Sequence, residues 1–434
     1  MVAAPTDSRP RIVVIGGGFA GLSVVRGLKP VAADVLLIDR CNHHTFQPLL
    51  YQVATAGLAA PSIAAPLRHI LRHQRNVTVL LGEVRSIDTA ARVVMLDAMP
   101  IGYDFLVVAT GTTHTYFGHD TWARHAPGLK TLDDALEIRA RILGAFERAE
   151  LTDDPAERDG WLTFVVAGGG PTGVELAGTM AEIAHHTLKL EFRRIDPATS
   201  HVLLVEAGPR VLPAFPETLS ASARSQLERL GVKVLTGRAI TEVSDRGVQM
   251  GAEFVAARTV LWAAGIAASP LGRQLSSELD RAGRVPVAAD LSIPGHIEVF
   301  VAGDLASLSD GTRTVPGIAP AAKQMGRHVA HTLTARLTGA HGHPFRYRHF
   351  GLLATIGRKA AVVDLGRVRL SGIVAWWFWL IAHIYFLIGF RNRLVVLIDW
   401  ASAYLTYQRG ARIIVSTEAR RGRFTNLYTP DKDG

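Results

Sequence analysis

Two glycine-rich turns, "IVVIGGGFAG" at Ile12 to Gly21 and "FVVAGGGPTGVELAG" at Phe164 to Gly178, constrain this chain more than any other feature. Ile12 to Ile15 is a continuous apolar run, as in a parallel strand buried on both faces, and Gly16-x-Gly18-x-x-Gly21 follows directly. The three glycines allow a tight turn, close backbone approach to a pyrophosphate, and close packing of helix on strand. The helix beyond supplies N–H groups and the positive end of its dipole to phosphates. A second apolar run, "DVLLID", ends at Asp39, 23 residues after Gly16, where a carboxylate can accept from both ribose hydroxyls. The second turn repeats the pattern with Gly168, Gly170 and Gly173 after "LTFVV", and its matching acid is Glu206, closing "HVLLVE". The interval from Gly168 to Glu206 is 38 residues, which predicts a long helix or an insertion around "AHHTLKLEFRRIDPATS", away from the phosphate turn.

Composition narrows what such a chain can do. With 434 residues, nearly half of them hydrophobic, it has room for two or three folded domains. Its one cysteine, Cys41, excludes an intrachain disulfide and any Cys-x-x-Cys centre, so redox chemistry must use a cofactor and no metal site is expected. The net charge of +9 calls for an anionic partner. From Arg358 onward, 12 Lys and Arg stand against 5 Asp and Glu, in the same region as the most apolar stretch of the chain. Positive charge beside apolar sequence points to an anionic lipid surface; no nucleic-acid-binding motif is present, so nucleic acid is not an expected partner. The N-terminus runs into Ile12 without a signal-peptide core, which predicts a cytoplasmic protein.

The apolar stretch is "GIVAWWFWLIAHIYFLIGF", Gly372 to Phe390, 19 residues with His383 as the only ionisable one. As one helix it would run about 28 Å, enough to span hydrocarbon. Three features favour a helix lying in the interface. Trp376, Trp377 and Trp379 cluster as headgroup-level residues do, Arg391 and Arg393 follow directly, and Asp399, Ser402, Thr406 and Arg409 form one polar stripe on the next segment, Leu394 to Tyr407. The alternative for these residues is a soluble core or a homodimer interface.

Further motifs carry a resemblance. "YDFLVVATG" (Tyr103 to Gly111) and "VLWAAGI" (Val260 to Ile266) resemble the crossover segments of flavoprotein reductases with two dinucleotide sites, and "VFVAGDLA" (Val299 to Ala306) resembles their second FAD fingerprint, which brings Asp304 to the ribityl chain. With "NHHTFQPLLYQVATAGL" (Asn42 to Leu58), "VPGIAPAAKQMGRHVA" (Val315 to Ala330) and the tail, nearly the whole chain resembles the type II, non-proton-pumping NADH dehydrogenases. The resemblance implies an α/β fold with two Rossmann-like domains, for FAD and NADH, and a C-terminal membrane-associated helical region. The expected boundaries are 1–115 and 290–345 for the FAD domain, 116–289 for the NADH domain and 346–434 for the anchor. It implies FAD and NADH as cofactors, ubiquinone or menaquinone as electron acceptor, and a monotopic place on the cytoplasmic face of the plasma membrane.

Carried over, Phe46, Pro48 and Leu49 through Gln52 flank the flavin, Ala109, Thr110, Gly111 and Gly265 border the dinucleotides, and Gln324 sits near the quinone headgroup. Many members have Gln where this chain has Pro320, which cannot replace a side-chain donor. Glu175 is placed in the first turn of the NADH-domain helix, where it serves either the helix dipole or, as in the resembled family, the nicotinamide and flavin. Glu206 suits a 2′-hydroxyl and repels a 2′-phosphate, which favours NADH over NADPH, although Arg210 nearby softens that preference. His383 is either a proton donor to reduced quinone or a histidine hydrogen-bonded in place. The rival activities are a disulfide reductase, which needs two cysteines, and a soluble NADH oxidase or peroxidase, whose thiol belongs on a helix under the flavin, whereas Cys41 follows the ribose-binding strand.

Overall fold

The computed structural model describes residues 9–276, 278–309, 314–340, 342–406 and 409–414. The end of the basic tail, 415–434, lies outside the described residues, as does Tyr407. The chain forms two compact units: one from 1–45, 64–113 and 266–350, the other from 46–63, 114–265 and 351–434.

The first unit is built on a six-stranded sheet in the order Ser292–Ile293, His296–Val301, Phe105–Val108, Arg11–Ile15, Asp34–Asp39, Val77–Leu81. All neighbours are parallel except the hairpin at one edge, Ser292–Ile293 with His296–Val301. Arg11–Ile15 lies in the interior, and Ile12, Val13 and Val14 are fully buried, as their unbroken apolar run requires. Helix Phe19–Gly27 follows the glycine turn and packs on helix Ala319–Leu337; the two approach so closely that a Cβ at Gly326 would fall 2.2 Å from the Ala20 carbonyl oxygen.

The second unit repeats the design with four parallel strands in the order Val232–Thr236, His201–Glu206, Thr163–Ala167, Thr259–Trp262. Helix Pro171–Glu182 leaves the second glycine turn and continues as one wide turn through Thr187. The long interval before Glu206 is thus filled by a helix of ordinary length and an irregular connection. That connection is held by Glu150, whose carboxylate accepts the N–H groups of Arg193, Arg194 and Ile195. A three-stranded antiparallel sheet, Leu352–Gly357, Ala360–Asp364 and Arg369–Ser371, lies against helix Pro171–Glu182, where Gly178 leaves no room for a Cβ beneath the Ile356 carbonyl.

The apolar tail stretch does not form one helix. It breaks at Leu387–Gly389, with Gly389 at φ +88°, into helices Gly372–Phe386 and Phe390–Thr406. Arg393 donates to the carbonyls of Tyr385 (2.8 Å) and Leu387 (2.8 Å), closing the end of the first helix. Among the described residues no helix is long and apolar enough to cross a membrane. The sequence stripe is shorter than expected: Asp399, Ser402 and Thr406 share helix Phe390–Thr406, whereas Arg409 is not helical.

The first tail helix is apolar on both sides. Ala375 and Trp379 are buried, while Ile373, Trp377, Ile381 and Tyr385, a row at i+4 spacing, are all exposed. On the second helix Asn392 and Val396 are buried and Phe390, Leu394, Leu397 and Ile398 are exposed. Trp379, grouped by sequence with the headgroup-level tryptophans, instead belongs to the interior at 2 % exposure.

Candidate functional sites

The two glycine turns match almost atom for atom. Gly16 and Gly168 adopt φ of +101° and +104°, which side-chain-bearing residues avoid. A Cβ at Gly21 or Gly173 would lie 1.9 or 1.8 Å from the carbonyl oxygen of Gly16 or Gly168. At the middle glycines, Gly18 and Gly170, a Cβ would meet nothing within 4 Å, so the space over each helix N-terminus is open. The paired acids are also alike. Asp39 accepts from the N–H groups of Gly17 (2.5 Å) and Cys41 (2.7 Å), and Glu206 from those of Gly169 (2.6 Å) and Gly208 (2.6 Å). Each carboxylate therefore pins its own glycine loop, a role not evident from the sequence. With about four acceptor positions apiece, each keeps lone pairs for a ribose.

The first turn carries further features that fit a dinucleotide. The Thr110 hydroxyl and His44 Nε2 are buried without a hydrogen-bond partner among the described residues. His44 donates from Nδ1 to the Gly17 carbonyl (2.9 Å) and meets the Phe19 ring edge-on. Burial, reinforced by the Lys323 and Arg26 charges against the Gly17 bond, lowers its pKa to about 4. The ring is therefore neutral at pH 7, and Nε2 is an acceptor suited to a hydroxyl or an amine. Ala109 and Thr110 abut Gly16, whose Cβ would clash with the Ala109 carbonyl at 2.4 Å, and Gly111 turns the chain at φ +66°. Asp304 sits in a single 3₁₀ turn, Gly303–Leu305, directly after strand His296–Val301. These residues fit the adenine dinucleotide of FAD. Gly168, Gly170, Gly173 and Glu206 fit that of NADH, and Gly265 lies so close to Thr115 that a Cβ would come 2.8 Å from its carbonyl oxygen.

A third group of side chains gathers in the second unit around a cavity of about 120 Å³, lined among others by Tyr51, Gln52, Trp379, Trp400, Tyr404 and Arg409. Trp400 donates from its indole N–H to Gln52 Oε1 (2.7 Å), and Gln52 Nε2 donates to the Tyr51 hydroxyl oxygen (2.9 Å). Arg409 pairs with Glu182 at 3.0 Å, with only 12 % and 15 % of the two side chains exposed, and also donates to the Thr55 carbonyl (3.0 Å). Glu182 accepts as well from the backbone N–H of Arg358, whose guanidinium lies 4.3 Å from the centre of the Tyr404 ring. Burial raises the pKa of the Tyr51 phenol well above the ordinary value, and Glu175 adds to that rise when it is ionised.

Glu175 is the fifth residue of helix Pro171–Glu182, in its second turn, so the dipole role expected for a first-turn acid does not apply. Burial raises its carboxyl pKa well above the usual range, against a hydrogen bond from the Thr355 backbone. His383 donates from Nδ1 to the Trp379 carbonyl (2.8 Å), stacks on that indole at 4.2 Å and meets Phe46 edge-on at 6.2 Å. Burial lowers its pKa to about 4, so at neutral pH it offers an acceptor at Nε2 and no spare proton. Both ends of the Gln324 amide are engaged by the Arg348 backbone, at 2.9 and 3.0 Å. Pro320 is the second residue of helix Ala319–Leu337, where its missing N–H is not needed by the helix. Sequence reading missed Trp400, Glu182, His44 and the interior place of Trp379. The partners of Trp400 and Glu182, Gln52 and Arg409, are far away in the chain, and the only hint was a tryptophan beside a polar stripe on an otherwise apolar helix.

The pyridine nucleotide-disulphide oxidoreductase family profile matches residues 10–326, and the NDH2 C-terminal domain profile matches 349–408. The chain is 45 % identical to the type II NADH:quinone oxidoreductase Ndh of Mycobacterium tuberculosis, over 96 % of this chain and 92 % of that protein. It is 43 % identical to NdhA, the type II NADH:quinone oxidoreductase of the same organism, over 94 % and 90 %. Its fold is similar to that of NDH2 from Plasmodium falciparum in complex with NADH, with a TM-score of 0.85 at 19 % identity, covering 94 % of this chain and all of that one.

Proposed function

The chain belongs to the type II NADH:quinone oxidoreductases, and on that basis we propose that it works as a peripheral membrane enzyme whose tail helices bring a bilayer quinone to the cavity beside Tyr51. It is an FAD-dependent enzyme that oxidises NADH and reduces a quinone without pumping protons. FAD, when bound, accepts the hydride of NADH and passes two electrons on.

In this reading Gly16, Gly18, Gly21, Asp39 and Asp304 hold FAD, while Gly168, Gly170, Gly173 and Glu206 hold NADH and disfavour a 2′-phosphate. Glu175, raised in pKa by burial, keeps a proton near the reaction. Gln324 spends one amide N–H and one oxygen lone pair on the Arg348 backbone and keeps one of each for a quinone. The exposed apolar rows of both tail helices lie in the lipid interface, with Arg391 beside them for anionic headgroups. The membrane face is the cytoplasmic one, since a charged dinucleotide does not cross a bilayer.

One observation carries the peripheral reading. The helices whose outer sides expose isoleucine, tryptophan and tyrosine to solvent are the same ones whose inner sides line the cavity. Purified protein should be yellow and should oxidise NADH with a short-chain quinone in detergent. Absence of flavin absorbance, or turnover with oxygen alone, would defeat the reading. Glu206→Gln should bring the kcat/KM values for NADH and NADPH closer together, and an unchanged ratio would remove Glu206 as the selector.

A further inference from the structure

The cavity contains a hydrogen-bond chain whose polarity can be read from its donors. An indole nitrogen only donates, so the Trp400 bond fixes the Gln52 amide with its oxygen toward Trp400. The Gln52 NH₂ then donates to Tyr51, and the Tyr51 oxygen acts as acceptor. Its own proton is left for another partner. Without Trp400 the amide could turn over and present its oxygen to the phenol, which would use up that proton. A second unused donor belongs to a residue that lines the cavity: the Trp379 indole N–H, in a side chain 2 % exposed, has no partner among the described residues. A buried donor without an acceptor is destabilising, and a ligand that accepts from it would relieve that cost. Two donors between aromatic walls suit a flat, apolar molecule whose polar atoms are carbonyl oxygens.

We propose that Tyr51 gives its phenolic proton to a carbonyl oxygen of the quinone, that the Trp379 N–H binds a quinone carbonyl, and that Trp400 acts through Gln52 as a positioning residue for Tyr51. The proposal rests on the quinone reading above. The overall reaction is NADH + H⁺ + quinone → NAD⁺ + quinol: two electrons and one proton come from the hydride of NADH, and the second proton comes from water. That second proton is the one assigned to Tyr51. Its phenolic O–H bond breaks as the quinol O–H bond forms, and the phenolate recovers a proton from the neighbouring Glu175 carboxyl, which is reloaded from solvent. Burial raises the affinity of both groups for protons, which favours their reloading, and an ionised Tyr51 is not left behind. His383, which has no proton to spare, is not required.

The test uses full-length, detergent-solubilised enzyme reduced with dithionite under anaerobic conditions and mixed either with a short-chain ubiquinone or with ferricyanide, which accepts electrons without protons. The ratio of the two reoxidation rates within each preparation cancels losses of flavin or fold. Tyr51→Phe should lower that ratio by about 10²-fold and abolish the solvent deuterium effect on the quinone step. Trp379→Phe should act on the quinone KM instead, raising it about two- to tenfold, as loss of one neutral hydrogen bond does. Trp400→Phe should lower the ratio several-fold alone and not at all in the Tyr51→Phe background, because the amide it orients then has no phenol to serve. An unchanged ratio in Tyr51→Phe would overturn the proton assignment, and multiplying effects of Tyr51→Phe and Trp400→Phe would overturn the positioning role. If wild-type enzyme is reoxidised by ferricyanide but by no quinone, the quinone reading itself fails, whatever the variants do.

Discussion

Replacing Ile381 and Ile398 with glutamine should release the enzyme from membranes without unfolding it. The two side chains are 63 % and 58 % exposed, on the outer sides of helices Gly372–Phe386 and Phe390–Thr406. Burying a whole isoleucine side chain is worth about 1.5–3 kcal/mol, so insertion of these exposed fractions into lipid contributes about 1–2 kcal/mol each. The pair then accounts for about 2–4 kcal/mol, and at 1.4 kcal/mol per decade the partition coefficient should fall by about 30- to 700-fold. Glutamine is close in length, favours helix and adds no charge, so the change isolates the apolar contribution. The assay is flotation with phosphatidylcholine vesicles over a range of lipid concentrations, with thermal melting as the control for fold. Point changes are cleaner here than removal of the tail, because Trp379, Trp400 and Arg409 line the cavity and would be lost with it. A double variant that melts like the wild type and still floats with it would refute the lipid-facing assignment. So would a variant whose vesicle binding is unchanged while a dimer falls to a monomer, since the exposed rows would then be a seam between copies of the chain.

Other substitutions test the sites separately. Gly173→Ala puts a Cβ 1.8 Å from the Gly168 carbonyl oxygen and should abolish reduction of the flavin by NADH, while dithionite still bleaches its absorbance. Glu182→Gln leaves the Arg409 guanidinium largely buried without its counter-ion and should cost about 3 kcal/mol, read by denaturant unfolding. His44 has a folded pKa of about 4 against about 6.5 unfolded, so the unfolded chain takes up the proton first as pH falls; its contribution is intact above pH 6.5 and is lost between there and about pH 4, on the order of 3 kcal/mol. Between pH 7 and 4.5 the Tm of His44→Asn should accordingly fall less than that of the wild type, and equal falls would show that His44 does not carry this pH dependence.

The glycine turns were legible because few residues can do what they do. A backbone at φ near +100° and a helix lying against a carbonyl oxygen both demand glycine, so spacing alone located Gly16, Gly21, Gly168 and Gly173. Asp39 and Glu206 were legible as acids ending buried strands, but their bonds to Gly17 and Gly169 were not, since a carboxylate that accepts from a loop looks in sequence like one that accepts from a sugar. The tail was read partly. Its apolar character and basic flanks were plain, yet hydrophobicity is the same whether a face meets lipid or protein, and Trp379 was grouped with Trp377 although one is buried and the other exposed.

The cavity was the least legible part, for a physical reason. Trp400 and Gln52 are 348 residues apart and Arg409 and Glu182 are 227 apart, so no periodicity or local spacing could announce either pair. Their identities give little away: a tryptophan on an apolar helix is ordinary packing until its N–H finds an acceptor, and an arginine after a helix is ordinary solvation until it is buried against a carboxylate. Both pairs join the tail to the segments that carry Tyr51 and Glu175, which gives the tail two tasks at once. Its outer sides expose apolar surface that water solvates poorly, while its inner sides supply the indole that orients Gln52 and the cation that neutralises Glu182. With the second tail helix in lipid, as proposed above, its movement would reach the Tyr51 hydroxyl through Gln52 alone, and the quinone step should then respond to the bilayer more strongly than reduction of ferricyanide does.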